Sequence, residues 1–463
     1  MTAQSWWGAE LLDHSAPDAV FARAAREVTF GELRAEVKWL AQTLNRHGIR
    51  AGNTVALQGT PSFTHLWSIF ALWSLGAQVL LFPPGMRGQD RVALLEMCGP
   101  QFFVSFGGLH FQTDKFIDQC EVLVRRIPDG QSAHSSHCVI QFSSGTTGRP
   151  KPVGRTSESL LVELDRLRTL GGMPTAGEWV AVLESVAHSF GLIGGVLYAL
   201  DAGATAVFPT AQTPRAIAEA ATLAHVVIGS PRHFGHLVNG ADDVTLPELR
   251  LAVSGGEVLS RDIYHAFARR SGVSIGQAYG TTETGIIATD LAGMFGPPTI
   301  GLPVQGVRTR VVDGVLEVHV PQSPYPYQCQ DLPWLGGWMS THDLVTGDPE
   351  TGTLRLRGRV DDGDPAHIDL LEIEAVVRGH EQVTDAVVFG VDPIEAHVAS
   401  AADLDPTELL AWCRRFLGDD APARYHVVRE LPRTANGKVL RHRTRLHEHI
   451  ATPQRNATSH KER

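Results

Sequence analysis

The chain has 463 residues, 43% of them apolar and 19% charged, a composition that buries a large core and excludes wholesale disorder or a fibrous repeat. With 50 acidic against 40 basic residues, the net charge is −10, which argues against nucleic acid or an anionic membrane as the main partner, because both attract a basic face. The five cysteines, Cys98, Cys120, Cys138, Cys329 and Cys413, are dispersed and include no C-x-x-C. The simplest reading is a reducing, cytoplasmic setting without disulfides or a thiolate zinc site. Met1–Asp13 lacks the basic-then-apolar pattern of a signal peptide.

Thr29 followed three residues later by Glu32 predicts a helix opened by a capping box. Leu33, Val37, Leu40 and Leu44 then recur at helical spacing, and Gly48 ends the run. Phe63–Phe82 carries no formal charge and is about long enough to span a bilayer. Its polar His65, Ser68, Ser74 and Gln78, with Gly76 between, favour a buried helix followed by a buried strand. Short apolar segments alternating with helical ones predict strands at Thr54–Leu57, Val79–Phe82, Phe102–Phe106, Cys138–Gln141, Trp179–Leu183, Ala206–Phe208, Val226–Ile228 and Leu251–Val253. That alternation belongs to an α/β protein with parallel sheet.

The character changes near residue 300. Arg308–Val312 and Val315–Val320 flank Asp313-Gly314, a hairpin signal, and Leu354–Arg357 adds a strand. A small α+β unit follows, with helices at Ile368–Arg378 and Pro406–Phe416 and strands at Ala386–Val391 and Tyr425–Val428. The expected division is a large domain over 1–358, a small domain over 359–450 and a polar, flexible tail over 451–463.

The strongest local motif is Phe142-Ser143-Ser144-Gly145-Thr146-Thr147-Gly148-Arg149-Pro150-Lys151, placed after an apolar strand. Small residues let backbone N–H groups turn inward as an anion-binding concavity. Four hydroxyls add donors, and Lys151 adds a point charge. A P-loop is absent, because the fifth residue after Gly145 is Pro150 and not Gly. Two further segments follow strands: Ser254-Gly255-Gly256-Glu257, whose glycines let a flat ring approach the backbone, and Gln277-Ala278-Tyr279-Gly280-Thr281-Thr282-Glu283-Thr284-Gly285. In the latter, Tyr279 offers a π face, Thr282 a donor and Glu283 a hard oxygen for a hard cation.

Together these segments resemble the adenylate-forming superfamily, which includes acyl- and aryl-CoA synthetases, peptide-synthetase adenylation domains and luciferases. The resemblance extends through Ile300–Gly306, Ser340-Thr341-His342-Asp343, Gly358-Arg359-Val360-Asp361 and Pro432–Lys438, and so covers nearly the whole chain. It implies a large domain of α/β sheet subdomains with a β-rich subdomain, and a small mobile α+β domain. It also implies an ATP- and Mg²⁺-dependent acid ligase that forms acyl-AMP and then passes the acyl group to the thiol of coenzyme A or a carrier protein's phosphopantetheine.

Residue by residue, the resemblance puts ATP phosphates at Ser143, Ser144, Gly145, Thr146, Thr147, Gly148 and Lys151. Gly255, Gly256 and Glu257 line the adenine and the acyl pocket, Ala278, Tyr279 and Gly280 bound the adenine, with the α-phosphate at Thr282, Mg²⁺ at Glu283, the ribose at Asp343 and the ribose or a phosphate at Arg359. Lys438 reaches the substrate carboxylate and α-phosphate, and Asp361 is the hinge. His188, Phe190 and Gly191 line the acyl pocket, with His233, Phe234 and His236 as further possible walls. No carboxylate accompanies His188 to bind an ammonium, which disfavours an α-amino acid. The sequence departs from the family at His342, where the family has Gly, at Pro152, and after Asp362, where a Lys and a Gly are missing. Segment 393–404 also compresses a usual loop and strand. These departures leave open an adenylation-only enzyme that hands acyl-AMP to another protein. A non-catalytic binding paralogue and a phosphotransferase are the other readings.

Overall fold

The computed structural model describes residues 6–107, 115–144, 150–240, 245–327, 332–360, 369–390, 393–434 and 438–451. The chain divides into two compact units, one comprising 1–143, 150–341 and 345–356, the other 144–149, 342–344 and 357–463.

Two early helices of the larger unit follow from local signals. Thr29 caps the helix Phe30–Arg46 by accepting from Glu32 N–H at 3.2 Å. The expected reciprocal half of the capping box is replaced: the Glu32 carboxylate takes the Arg26 guanidinium at 2.6 and 2.9 Å. Phe63–Ser74 is a helix buried almost throughout, Gly76 turns the chain at φ +71°, and Gln78–Leu81 is a strand with every residue buried. An all-round apolar helix of 12 residues belongs to a protein core, and no helix among the described residues is long and apolar enough to cross a membrane.

Two sheets organise this unit. One has the spatial order 122–126, 102–106, 54–59, 78–81, 137–144, 150–156. Its centre is parallel and its 122–126 edge antiparallel. The second has a parallel centre in the order 20–23, 205–207, 179–182, 226–229, 251–255, 275–281. It continues antiparallel into 285–290 and 299–303. The β-rich region predicted after residue 300 thus extends this sheet, since Thr299–Pro303 pairs on with Leu354 and Arg355. The Asp313-Gly314 hairpin forms between Thr309–Val312 and Val315–His319, with φ of +51° and +80° at the two turn residues, as a two-residue primed turn demands.

The smaller unit is a three-stranded sheet, 383–389, 395–400, 424–428, packed on helices 370–378 and 406–417. The compressed segment 393–404 retains a full strand, Glu395–Ser400, at the centre of that sheet and buried at all six positions. A helix not anticipated from the sequence, Arg443–Ala451, covers the other sheet face through Leu446, which joins Val387, Phe389, Ala399 and Leu431. Four cysteines, Cys98, Cys120, Cys138 and Cys413, are free thiols. Cys329 lies outside the described residues, as does the expected tail from 452 onward.

The turn that follows strand Gly285–Asp290 is held by one side chain. Buried Asp290 accepts from the N–H groups of Met294, Phe295 and Gly296 at 2.8, 2.9 and 3.0 Å. Hydrogen bonds to a charged acceptor contribute about 1.5–3 kcal/mol, so Asp290→Ala should lower unfolding stability by at least about 2 kcal/mol in urea titration. A change under about 0.5 kcal/mol would show that water replaces the carboxylate without cost.

Candidate functional site

The Ser/Gly/Thr run leaves the end of strand His137–Ser144 and re-enters at strand Pro150–Thr156. Ser143 and Lys151 are described, whereas Gly145, Thr146, Thr147 and Gly148, and the side chain of Ser144, lie outside the described residues. Glu283 stands in the turn between strands Ile275–Thr281 and Gly285–Asp290. That turn is closed by Thr281, whose Oγ1 lies 3.0 Å from Thr284 Oγ1 and accepts from Thr284 N–H at 3.3 Å. Glu283 Oε1 lies 3.5 Å from Ser143 Oγ, although 140 residues separate them. The head of the hydroxyl-rich run and the acidic turn therefore meet at one point of the larger unit.

Tyr325 completes this point with its hydroxyl 3.3 Å from the same Glu283 oxygen. Sequence reasoning missed Tyr325, which sits in an irregular segment with no motif around it. A carboxylate with two hydroxyl oxygens is a hard-oxygen set, and it fits Mg²⁺, which binds through one or two carboxylates and leaves its other positions to water and phosphate.

Strand pairing assembles the expected adenine residues. Gly255 and Ala278 are register partners on parallel neighbouring strands. Gly256 follows at φ +86°, in the left-handed region that glycine takes without penalty. Tyr279 is half-buried beside exposed Gly280, and Glu257 and Thr282 are partly exposed. A Cβ at Gly255 would fall 2.9 Å from Phe190 Cε1, so the Phe190 ring packs directly on that glycine. Phe190 opens a π-helical stretch, Phe190–Leu197, a form often found at functional sites.

The segment Ala187–Phe190 is tied to the strand before the hydroxyl-rich run by a residue the sequence did not flag. Gln141 donates to Ala187 O at 3.0 Å and accepts from Ser189 Oγ at 2.6 Å. His188 accepts from Leu192 N–H through its carbonyl, at 2.9 Å. Gly191 is fixed by packing, since a Cβ there would meet Ser185 O at 2.4 Å. His233 acts locally, with Nδ1 accepting from Ser230 N–H at 3.0 Å in a helix-capping pair. Burial pushes its imidazole down to about 3. Phe234 packs on Phe267 in the core.

In the smaller unit, Arg359 pairs with buried Asp343 at 3.3 Å, joining two of the expected nucleotide contacts. His342 has φ +59°, so the position where the family has Gly does require the left-handed conformation, here adopted by a side chain that disfavours it. Lys438 accepts through its carbonyl from Thr434 N–H at 2.8 Å, beside the Arg433–Val439 bridge. Asp361 lies outside the described residues.

Residues 12–323 match the family described as AMP-binding enzyme, and residues 372–438 match the AMP-binding enzyme C-terminal domain. The chain belongs to the AMP-binding enzyme family. Among similar proteins, a benzoate–CoA ligase of Thauera aromatica is 28% identical over 67% of this chain and 66% of its own length. A p-hydroxybenzoic acid–AMP ligase of Mycobacterium tuberculosis is 25% identical over 90% of this chain and 65% of its own length. The chain thus spans just under two thirds of these relatives. The crystal structure of ATP-bound MatB from Rhodopseudomonas palustris superposes with a TM-score of 0.81 at 20% identity, covering 97% of this chain and 99% of that one. The AMP-binding fold is thereby shared.

One buried carboxylate braces the acidic turn of this AMP-binding enzyme. Glu163 pairs with Arg155 at 2.7 Å and accepts from Ile286 N–H at 3.1 Å, and both charged side chains are buried. Removing one partner of a buried pair costs about 3–5 kcal/mol, so Glu163→Ala should destabilise the chain by that amount in urea titration. Retention of full stability would show that Arg155 finds other partners.

Proposed function

We propose that the chain is an AMP-forming carboxylic acid ligase acting on an aryl or acyl acid. The observation that carries this reading is the meeting of Ser143, Glu283 and Tyr325 where the hydroxyl-rich run leaves its strand. Family membership supports it, as do relatives named as benzoate–CoA and p-hydroxybenzoic acid–AMP ligases. The Phe190 ring against Gly255 supports an aromatic or apolar acid.

In the proposed reaction a substrate carboxylate oxygen bonds to the α-phosphorus of ATP as the bond to pyrophosphate breaks, so acyl-AMP and pyrophosphate leave in balance. The protein's task is alignment and charge neutralisation. Ser143, Ser144, the glycines and threonines at 145–148 and Lys151 would hold the β- and γ-phosphates. Gly255, Gly256, Glu257, Ala278, Tyr279 and Gly280 would bound the adenine, with Thr282 on the α-phosphate. Asp343, held by Arg359, would accept from the ribose hydroxyls. Lys438 would stabilise the charge that develops between carboxylate and phosphorus. Glu283 would hold Mg²⁺, which when bound offsets charge on the phosphate oxygens.

The acyl group would then pass to the thiol of coenzyme A or of a carrier protein's phosphopantetheine, after rotation of the smaller unit about Asp361. A second reading stops at acyl-AMP. The p-hydroxybenzoic acid–AMP ligase among the relatives favours it, as does the missing Lys and Gly after Asp362.

The test is acid-dependent ATP–pyrophosphate exchange over aryl, fatty and amino acids. Exchange is expected with aryl or apolar acids, and Lys438→Ala and Glu283→Gln should each lower it by about 10²–10³-fold. ADP release, or ATP binding with no exchange for any acid, would overturn the ligase reading. Acyl-thioester formation with coenzyme A or a carrier protein then separates the two-step enzyme from the adenylation-only one.

A further inference from the structure

The sheet of the smaller unit carries a second cluster of chemical groups that the proposed ligase reaction does not use. Glu395 and His397 alternate on the central strand and so share the face covered by helix Arg443–Ala451. His426 is the register partner of His397 on the neighbouring parallel strand, which places it on the same face. His447 reaches that face from the helix, one turn after Arg443. Strand alternation, strand register and helix period, three separate signals, thus bring three imidazoles and one carboxylate together.

Their geometry is convergent. Glu395 and His397 side chains are fully buried. The Nε2 atoms of His447, His397 and His426 lie 3.1, 3.3 and 4.0 Å from Glu395 oxygens. One ligand atom from each of the four residues lies within 4.8 Å of all the others. Four ligands on a tetrahedral ion with bonds of about 2.0–2.1 Å stand about 3.3 Å apart, so small side-chain adjustments suffice.

Hydrogen bonding alone leaves the cluster incomplete. His426 Nε2 and His397 Nδ1 are buried without a hydrogen-bond partner, and such orphaned groups in a native fold call for an ion or water. Arg443 grips both oxygens of Glu395, at 2.6 and 3.0 Å, the outer-sphere contact that ligating carboxylates keep.

We propose that Glu395, His397, His426 and His447 form a closed, tetrahedral site for a divalent transition metal of the zinc class. Three imidazoles and a carboxylate suit zinc, and four protein ligands leave no open position. The ion would fasten the terminal helix to the sheet, a structural role independent of the ligase reading.

The test uses the full chain, stripped with chelator and dialysed against micromolar Zn²⁺. One equivalent should remain by elemental analysis, and Zn²⁺ should raise the Tm. Co²⁺ in its place should give the intense visible bands of a four-coordinate ion. His426→Gln/His447→Gln, at two partly exposed positions, should lose the equivalent, the bands and the Tm gain while keeping its far-UV circular dichroism. If that variant fails to fold, the Co²⁺ spectrum of the unaltered chain decides alone, since weak octahedral bands overturn the site. Equal metal retention by the folded variant overturns it as well.

Discussion

The larger unit depends on a single buried carboxylate. Glu163 meets Arg155 on the strand that leaves the hydroxyl-rich run, and it meets Ile286 N–H on the strand that leaves the acidic turn. Its oxygen also occupies the space that a Cβ at Gly285 would need, 2.3 Å away. A charge taken out of water carries a desolvation penalty of several kcal/mol, which the Arg155 guanidinium 2.7 Å away and the Ile286 N–H offset here. The two strands that bear the motifs are therefore held to one geometry, because any slip between them exposes an unpaired charge in the core.

That bracing explains how residues 140 apart come within contact. Ser143 lies at the end of its strand and Glu283 in a turn between two strands, and the register of those strands is fixed by their neighbours. The close approach of backbone at Gly280, where a Cβ would lie 2.3 Å from Gly285 O, tightens the acidic turn further. Thr281 then closes the turn through Thr284. The proposed adenylation would need this order, since an enzyme's contribution to such chemistry is placement and preorganised charge.

Local signals were legible in the sequence where one residue decides one conformation. Thr29 capped its helix, Asp313-Gly314 made its hairpin, and Gly76 separated a buried helix from a buried strand. The alternation of segments gave the parallel centres of both sheets. Strands 20–23 and 27–29 were not legible, because the first owes its place to pairing with 205–207, nearly two hundred residues away. Strand 122–126, at a sheet edge, buries none of its residues and breaks its short apolar run with Arg125 and Arg126. In the site, motifs marked Glu283 and Ser143 but not Tyr325 or Gln141, whose roles exist only after the chain has folded. Likewise the left-handed backbone at His342 could be inferred only from the glycine that related sequences place there.

The histidine cluster shows the same limit from another side. Dispersed cysteines argue against a thiolate site, but imidazole ligands leave no comparable mark, because histidine serves as often in caps and cores. His233 is such a cap, and it is buried as deeply as any ligand would be. What separates the two cases is where the second nitrogen and the neighbours point. Nδ1 of His233 is satisfied within its own helix turn, whereas His397, His426 and His447 all direct Nε2 at one carboxylate, and His397 Nδ1 and His426 Nε2 stay buried and unpaired. Unpaired ring nitrogens alone do not mark such a site, since the buried core residue His65 leaves both of its own without a partner. Convergence does: three imidazoles gathered around one shared carboxylate are arranged for a cation.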